Sequence, residues 1–159
     1  MSIKIEIDKS IININRNNSN ILPNIINNNI ISLIDLAICS EGNTYDISKV
    51  VKEIYKDEYK IINKNWYKYD INSQKWIKII EGLNLRNSLS EDICKKFQER
   101  CIYFNNLLMN TTDEGQKELY NKKAQSALKI SLKLKNSGFK DSIMKECKYL
   151  FTDEKYEEK

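Results

Sequence analysis

Histidine is absent from this chain, glycine occurs only 4 times, proline once, and the 4 cysteines never fall into a CxxC pair. Without histidine there is no Ser-His or Cys-His nucleophile arrangement. Without histidine or a close cysteine pair, a zinc site lacks its usual ligands, so no metal site is expected. None of Gly42, Gly82, Gly115 and Gly138 opens a phosphate-binding loop followed by Lys-Ser/Thr, which argues against ATP hydrolysis by this chain alone. Asp8, Asp35, Asp46 and Asp57 are scattered singly, whereas nucleotidyl transfer needs clustered carboxylates to hold two metal ions. No catalytic residue is therefore assigned, and the chain is expected not to be an enzyme on its own. No window approaches the roughly 18 apolar residues of a membrane-spanning helix, and no signal-peptide core follows Met1. A cytoplasmic setting without a membrane is expected.

The 159 residues suit one domain with a loose arm. So few glycines and prolines favour long helices over a many-turned β-sandwich. The fold class expected is α+β, mainly helical, with a small antiparallel hairpin or three-stranded meander. Lysine plus arginine number 26 against 22 acids, a net charge of +4, which permits attraction to a polyanion without requiring it. Cys94 and Cys101 share a helical face with Ile93, Phe97 and Phe104. Buried reduced thiols are the expected reading, a disulfide the alternative.

Residues 1–22 read as a loose arm: SIKIEID alternates as a short strand does, then the chain dissolves into INRNNSN. Residues 23–151 read as one helical domain. Pro23 is placed to start a helix that carries Ile26, Ile30, Leu33, Ile34 and Ala37 and stops at Gly42. Asp46 is expected to cap the next helix, whose Ile47, Val50, Val51, Ile54 and Tyr55 form one face. Between about 59 and 79 the period changes to that of strands. Three antiparallel strands are expected there, with WYKYD paired to KWIKI across a turn at Ile71 to Gln74.

Ser88-Leu89-Ser90-Glu91 spells a capping box, predicting a helix from Leu89 with Ile93, Phe97, Cys101, Phe104 and Leu108 on its stripe. A cap at Thr111-Thr112-Asp113 opens another helix carrying Leu119, Ala124, Ala127, Leu128, Leu132 and Leu134, ended by Ser137-Gly138. These two helices are expected to pack antiparallel. FKDSIMKECKYLF then forms a last helix, and residues 152–159 form a charged tail or a cut linker.

The run from Tyr45 to Phe151 has its landmarks in the order YDISKVVKEIYKDEYKIINKNWYKYDINSQKWIKI, LNLRNSLSEDICKKF and LKNSGFKDSIMKECKYLF. It resembles the accessory domain immediately preceding the superfamily 3 helicase in poxvirus-type, giant-virus-type and phage or plasmid primase-helicases. The tryptophan hairpin Trp66 to Trp76 and the closing FKDSIMKECKYLF carry most of that likeness. The resemblance implies a non-catalytic module that handles DNA and assists ring or partner assembly in DNA replication. It also implies DNA, a helicase ATPase domain or subunit, and a self-associated ring as partners. ATP and magnesium would be cofactors only of the associated motor, and the location would be the host cytoplasm or a virus factory. Under it Trp66 and Trp76 hold the hairpin, while Phe139, Met144, Cys147 and Phe151 anchor the helix leading to the motor. The competing class is an interaction module that docks onto or regulates a separate replication protein without touching DNA.

Two basic sets are the candidate DNA contacts. In the hairpin, Lys68, Lys75 and Lys78 are interleaved with Trp66, Tyr67, Tyr69 and Trp76, a composition suited to neutralising phosphates and stacking bases. The alternative is a structural cross-strand Trp66–Trp76 pair on the buried face, with solvated lysines around it. The second set, Lys129, Lys133, Lys135, Lys140, Lys145 and Lys148, lies along the last two helices. It reads as a backbone track, a subunit-facing surface, or an ordinary wet face. Arg86, at a loop-to-helix junction, has the fork to bind phosphate or carboxylate bidentately, or to cap local structure.

Overall fold

The structure is a computed structural model; it describes residues 16–153, with side chains from Asn28 onward. Along these residues run α1 (Arg16–Cys39), α2 (Thr44–Tyr55), β1 (Tyr59–Ile62), β2 (Asn65–Asp70), β3 (Lys75–Lys78) and α3 (Leu83–Ser88). A π-helical turn (Leu89–Ile93), α4 (Cys94–Met109), α5 (Glu114–Lys133) and α6 (Ser137–Leu150) complete the order. The architecture is α+β and mainly helical, with one antiparallel sheet in the order β1-β2-β3. The strand expected in SIKIEID and the tail beyond Asp153 lie outside the described residues.

Helix ends depart from the sequence expectations for local reasons. α1 begins at Arg16, upstream of Pro23, because no glycine or proline interrupts residues 16–22 and Pro23 removes only one ladder bond. Its C-terminus closes with Gly42 N–H on the Ala37 carbonyl (2.9 Å) and Glu41 N–H on that of Ile38 (3.0 Å). Glu41 takes the left-handed position with φ 58°, so Gly42 is one residue past the reversal. The cap of α2 is Asn43, whose side chain accepts from the Tyr45 and Asp46 amides, rather than Asp46. Asp113 caps α5 through the Gln116 amide. Ser137 and Gly138 do not end that helix; they open α6, capped by Asn136 accepting from the Phe139 amide.

The predicted capping box at Ser88 does not form. The helix starts earlier, at Leu83, and continues through the π turn into α4, so Ser88 has no free helix start to cap. Its hydroxyl instead donates to the Leu85 carbonyl at 2.6 Å. The π turn keeps Leu85, Leu89 and Ile93 wholly buried, inserting the extra backbone unit that realigns α3 with α4.

α4 and α5 pack antiparallel: Cys94 donates to the Ser131 carbonyl at one end, and Phe104 stacks on Tyr120 at the other. α5 buries Ala124, Ala127, Ile130 and Ser131. Leu119, Leu128 and Leu132, expected on its apolar face, are exposed. α6 inserts Ile143, Met144 and Cys147, and Phe151 closes the core 5.6 Å from the Trp66 ring. Lys52 Nζ donates to the Leu150 carbonyl at 2.9 Å, a cation on the C-terminal end of α6 where the helix dipole favours it. Beyond α6 the chain joins the sheet, with Ile61 N–H donating to Phe151 O and Asp153 N–H to Ile61 O, both at 2.9 Å. The β1 edge is thereby covered in parallel register.

Candidate nucleic-acid interface

Asn63 and Lys64, both at positive φ, form the two-residue reversal between β1 and β2, the geometry that matches strand twist. Ile71 to Gln74 joins β2 to β3, and Asp70 accepts from the Ser73 amide there at 3.2 Å. Hydrogen bonding to Ser73 holds the Asp70 carboxyl below its ordinary range.

The register gives this sheet two chemically different faces. Tyr59 opposes Lys68 and Ile61 opposes Trp66, and these belong to the inner face, where Tyr59, Ile61 and Trp66 join the core. Lys60 opposes Tyr67, Tyr67 opposes Lys78, and Tyr69 opposes Trp76; these form the outer face. Trp66 and Trp76 therefore lie on opposite faces, which corrects the expected buried tryptophan pair. Trp66 is 3% exposed, while Trp76 packs edge-on against Tyr69 with centroids 5.3 Å apart. Lys60 Nζ lies 4.3 Å over the Trp76 ring.

The hairpin lysines are divided in the same way. Lys78 shares the outer face with Tyr67, Tyr69 and Trp76, whereas Lys68 and Lys75 lie on the Trp66 side. Lys68 Nζ is 5.5 Å from the Tyr59 ring centroid. Lys60 and Lys64 escaped the sequence reading. Strict alternation in Tyr59–Ile62 was the signal for Lys60, since it puts that residue beside Tyr67.

A second basic site lies between α3 and α6. Trp66, Arg86, Asp141, Lys145 and Lys148 line a groove of about 330 Å³, and Lys145 and Lys148 also line its neighbour with Lys64 and Tyr149. Lys140 is not among the lining residues of either groove. Arg86 is already engaged: its guanidinium donates to Asp141 Oδ1 at 2.8 and 3.2 Å and to Ser137 Oγ at 3.0 Å. It ties α3 to the first turns of α6. The buried Trp66 Nε1 finds no acceptor among the described residues.

Of the remaining basic candidates, Lys129 lines a separate groove between α1 and α5, and Lys133 lies 5.1 Å from the Phe139 ring centroid. All 4 cysteines are free, Cys94 and Cys147 buried and Cys39 exposed. Burial pushes the Cys147 thiol up to about 12, which suits a packing residue and not a nucleophile. No helix among the described residues is long and apolar enough to cross a membrane.

These features define a mainly helical α+β domain carrying a small sheet with one core-facing and one aromatic-basic face. No family model matches the chain. It is 31% identical over 108 residues to a protein of Acanthamoeba polyphaga mimivirus named "putative helicase". The match covers 67% of this chain and 11% of the viral protein. This chain is thus similar to a small part of a much longer giant-virus protein.

Proposed function

We propose that this chain is a non-catalytic accessory domain of a viral or phage-type primase-helicase, acting in DNA replication by handling DNA beside the motor and joining it to its ring or partner. The observation that carries this reading is the similarity over 108 residues to one segment of a far longer protein named as a helicase. ATP and magnesium belong, on this reading, to an associated ATPase domain or subunit, and the chain performs no chemistry of its own. DNA, that ATPase and further copies of the module are its partners, in the host cytoplasm or a virus factory. Its charge distribution supports DNA handling. From Tyr59 to Ile79 there are five lysines against a single acid, Asp70, so the sheet region alone holds a net charge equal to the +4 of the whole chain.

The test is binding of the purified chain to labelled single-stranded and forked DNA across a salt series. Phosphate contacts release counterions, so affinity should fall steeply with salt, with a log-log slope of about −0.7 per phosphate neutralised on a single strand. Absence of binding even at low salt overturns the DNA-handling role. A second reading would then take its place: a docking module that binds a replication protein and no DNA. The exposed Ile71, Ile77, Ile80 and Leu83, strung from the hairpin turn to the start of α3, favour that reading.

A further inference from the structure

Most sheets in small α+β domains cover one face with helices and wet the other with polar residues. Here the face that no described helix covers is aromatic. Its central strand presents Tyr67 and Tyr69, flanked by Lys60 and Lys78 on either side of Tyr67 and by Trp76 beside Tyr69. All three rings are half-buried. Neither they nor Ile62 belong to the core or pack against it among the described residues. Rings with no core to fill are unusual on a wet sheet face, because each exposes apolar surface to water.

We infer that this outer face is a platform for single-stranded DNA, with bases stacking on Tyr67, Tyr69 and Trp76 and the backbone running past Lys78. This rests on the DNA-handling reading above and names the form of DNA and the surface that takes it. Three observations converge. The rings offer π-faces, which every base can stack on without sequence readout. Tyr67 and Tyr69 are about 6.8 Å apart along the strand, about twice the 3.4 Å rise of stacked bases, so they suit neighbouring bases splayed apart and not a closed duplex stack. Lys78 on the same face and Lys64 at the β1–β2 reversal, both exposed, supply the charge complement to the phosphates. Lys60 Nζ lies 4.3 Å over the Trp76 ring and 3.9 Å from Asp153 Oδ2, a cation–π contact that a base stacking on that face would replace. A duplex hides its bases from such a surface and leaves it only phosphates to hold.

The experiment compares three labelled probes of equal length at one salt concentration: an oligo-dT strand, the same strand with abasic sites throughout its centre, and the corresponding duplex. It is run on the wild-type chain, Trp76→Ala, Tyr67→Ala and, as a backbone-contact control, Lys145→Gln/Lys148→Gln, with the melting curve of each variant recorded. Stacking predicts that oligo-dT binds wild type about 5- to 100-fold more tightly than the abasic strand, and that Trp76→Ala and Tyr67→Ala each erase most of that ratio. The groove double variant should keep it. If wild type binds all three probes equally, or if Trp76→Ala and Tyr67→Ala leave the ratio intact, the platform is wrong while DNA handling stands. If wild type binds none of them, both fall. The comparison of probes on wild type needs no substitution, so a variant that fails to fold cannot mask the answer.

Discussion

Gly82 lies against the face of the Trp66 indole: a Cβ at Gly82 would stand 3.1 Å from both Cδ2 and Cε2 of the ring. Gly82 also has φ 60°, a region that side chains adopt at a penalty. The ring cannot give way, because Trp66 is packed between Tyr59 and Phe151. Gly82→Ala is therefore expected to destabilise the domain by about 1–3 kcal/mol. Urea denaturation, read by the midpoint at unchanged slope, checks it; an unchanged midpoint would show that the α3 start is not held by Trp66.

The two tryptophans should respond very differently to truncation. Trp66 is a core residue, so Trp66→Ala should cost about 3–5 kcal/mol. Trp76 makes an outer-face pair with Tyr69, and Trp76→Ala should cost about 1 kcal/mol or less. Equilibrium unfolding of both variants decides the matter, and a Trp76 loss as large as that of Trp66 would contradict the two-faced sheet.

Arg100 holds α4 to α1 by a two-pronged contact with Asp35, Nε to Oδ1 and the terminal nitrogen to Oδ2, each at 2.8 Å. The guanidinium also lies 4.0 Å from the Tyr103 ring centroid. Hydrogen bonding to Asp35 raises the arginine's already high pKa, so the pair stays charged on the arginine side throughout the working range. Lysine cannot reproduce the fork. Arg100→Lys and Asp35→Asn should each cost about 1–2 kcal/mol, less than a fully buried pair because Asp35 is partly wet. A double-mutant cycle should return a coupling well above zero, and additive losses would deny the contact any role in seating α1.

Burial raises the Tyr55 hydroxyl from 10.0 to about 12, and that hydroxyl donates to Asp92 Oδ2 at 3.2 Å on the π turn. The unfolded chain ionises this group first, so in that window it binds fewer protons than the folded protein. The stability contributed by neutral Tyr55 is thus fully present below pH 10 and is lost as pH rises through 10 toward about 12. Tyr55→Phe should abolish that part of the alkaline loss. Melting temperatures of wild type and variant from pH 8 to about 12 test it; parallel curves would overturn the assignment.

Much of the local structure was legible from spacing alone. The meander, its turn at Ile71 to Gln74, the Asp113 cap and the apolar face of the last helix all follow from patterns a few residues long. The opposition of the tryptophans was also latent in the chain. A four-residue turn pairs Asp70 with Lys75, and counting outward puts Trp76 opposite Tyr69, so the two tryptophans cannot share a face. The capping box at Ser88 misled because the motif speaks only for a helix that starts there. An upstream helix running into it through a π turn leaves no orphan amides for it to satisfy.

Local sequence determined which residues share a face, because the periods of 2 and 3.6 are properties of the backbone and need no partner. It could not decide which of two aromatic sheet faces would be covered, since Trp66 with Tyr59 and Trp76 with Tyr69 are equally apolar candidates. Tertiary structure decided that when Phe151 and α6 closed over Trp66. The same step brought Arg86, Lys145 and Lys148, up to 62 positions apart in the chain, to one groove. Such encounters depend on how helices dock, and the free energy of docking comes from burying surfaces that are distant in sequence.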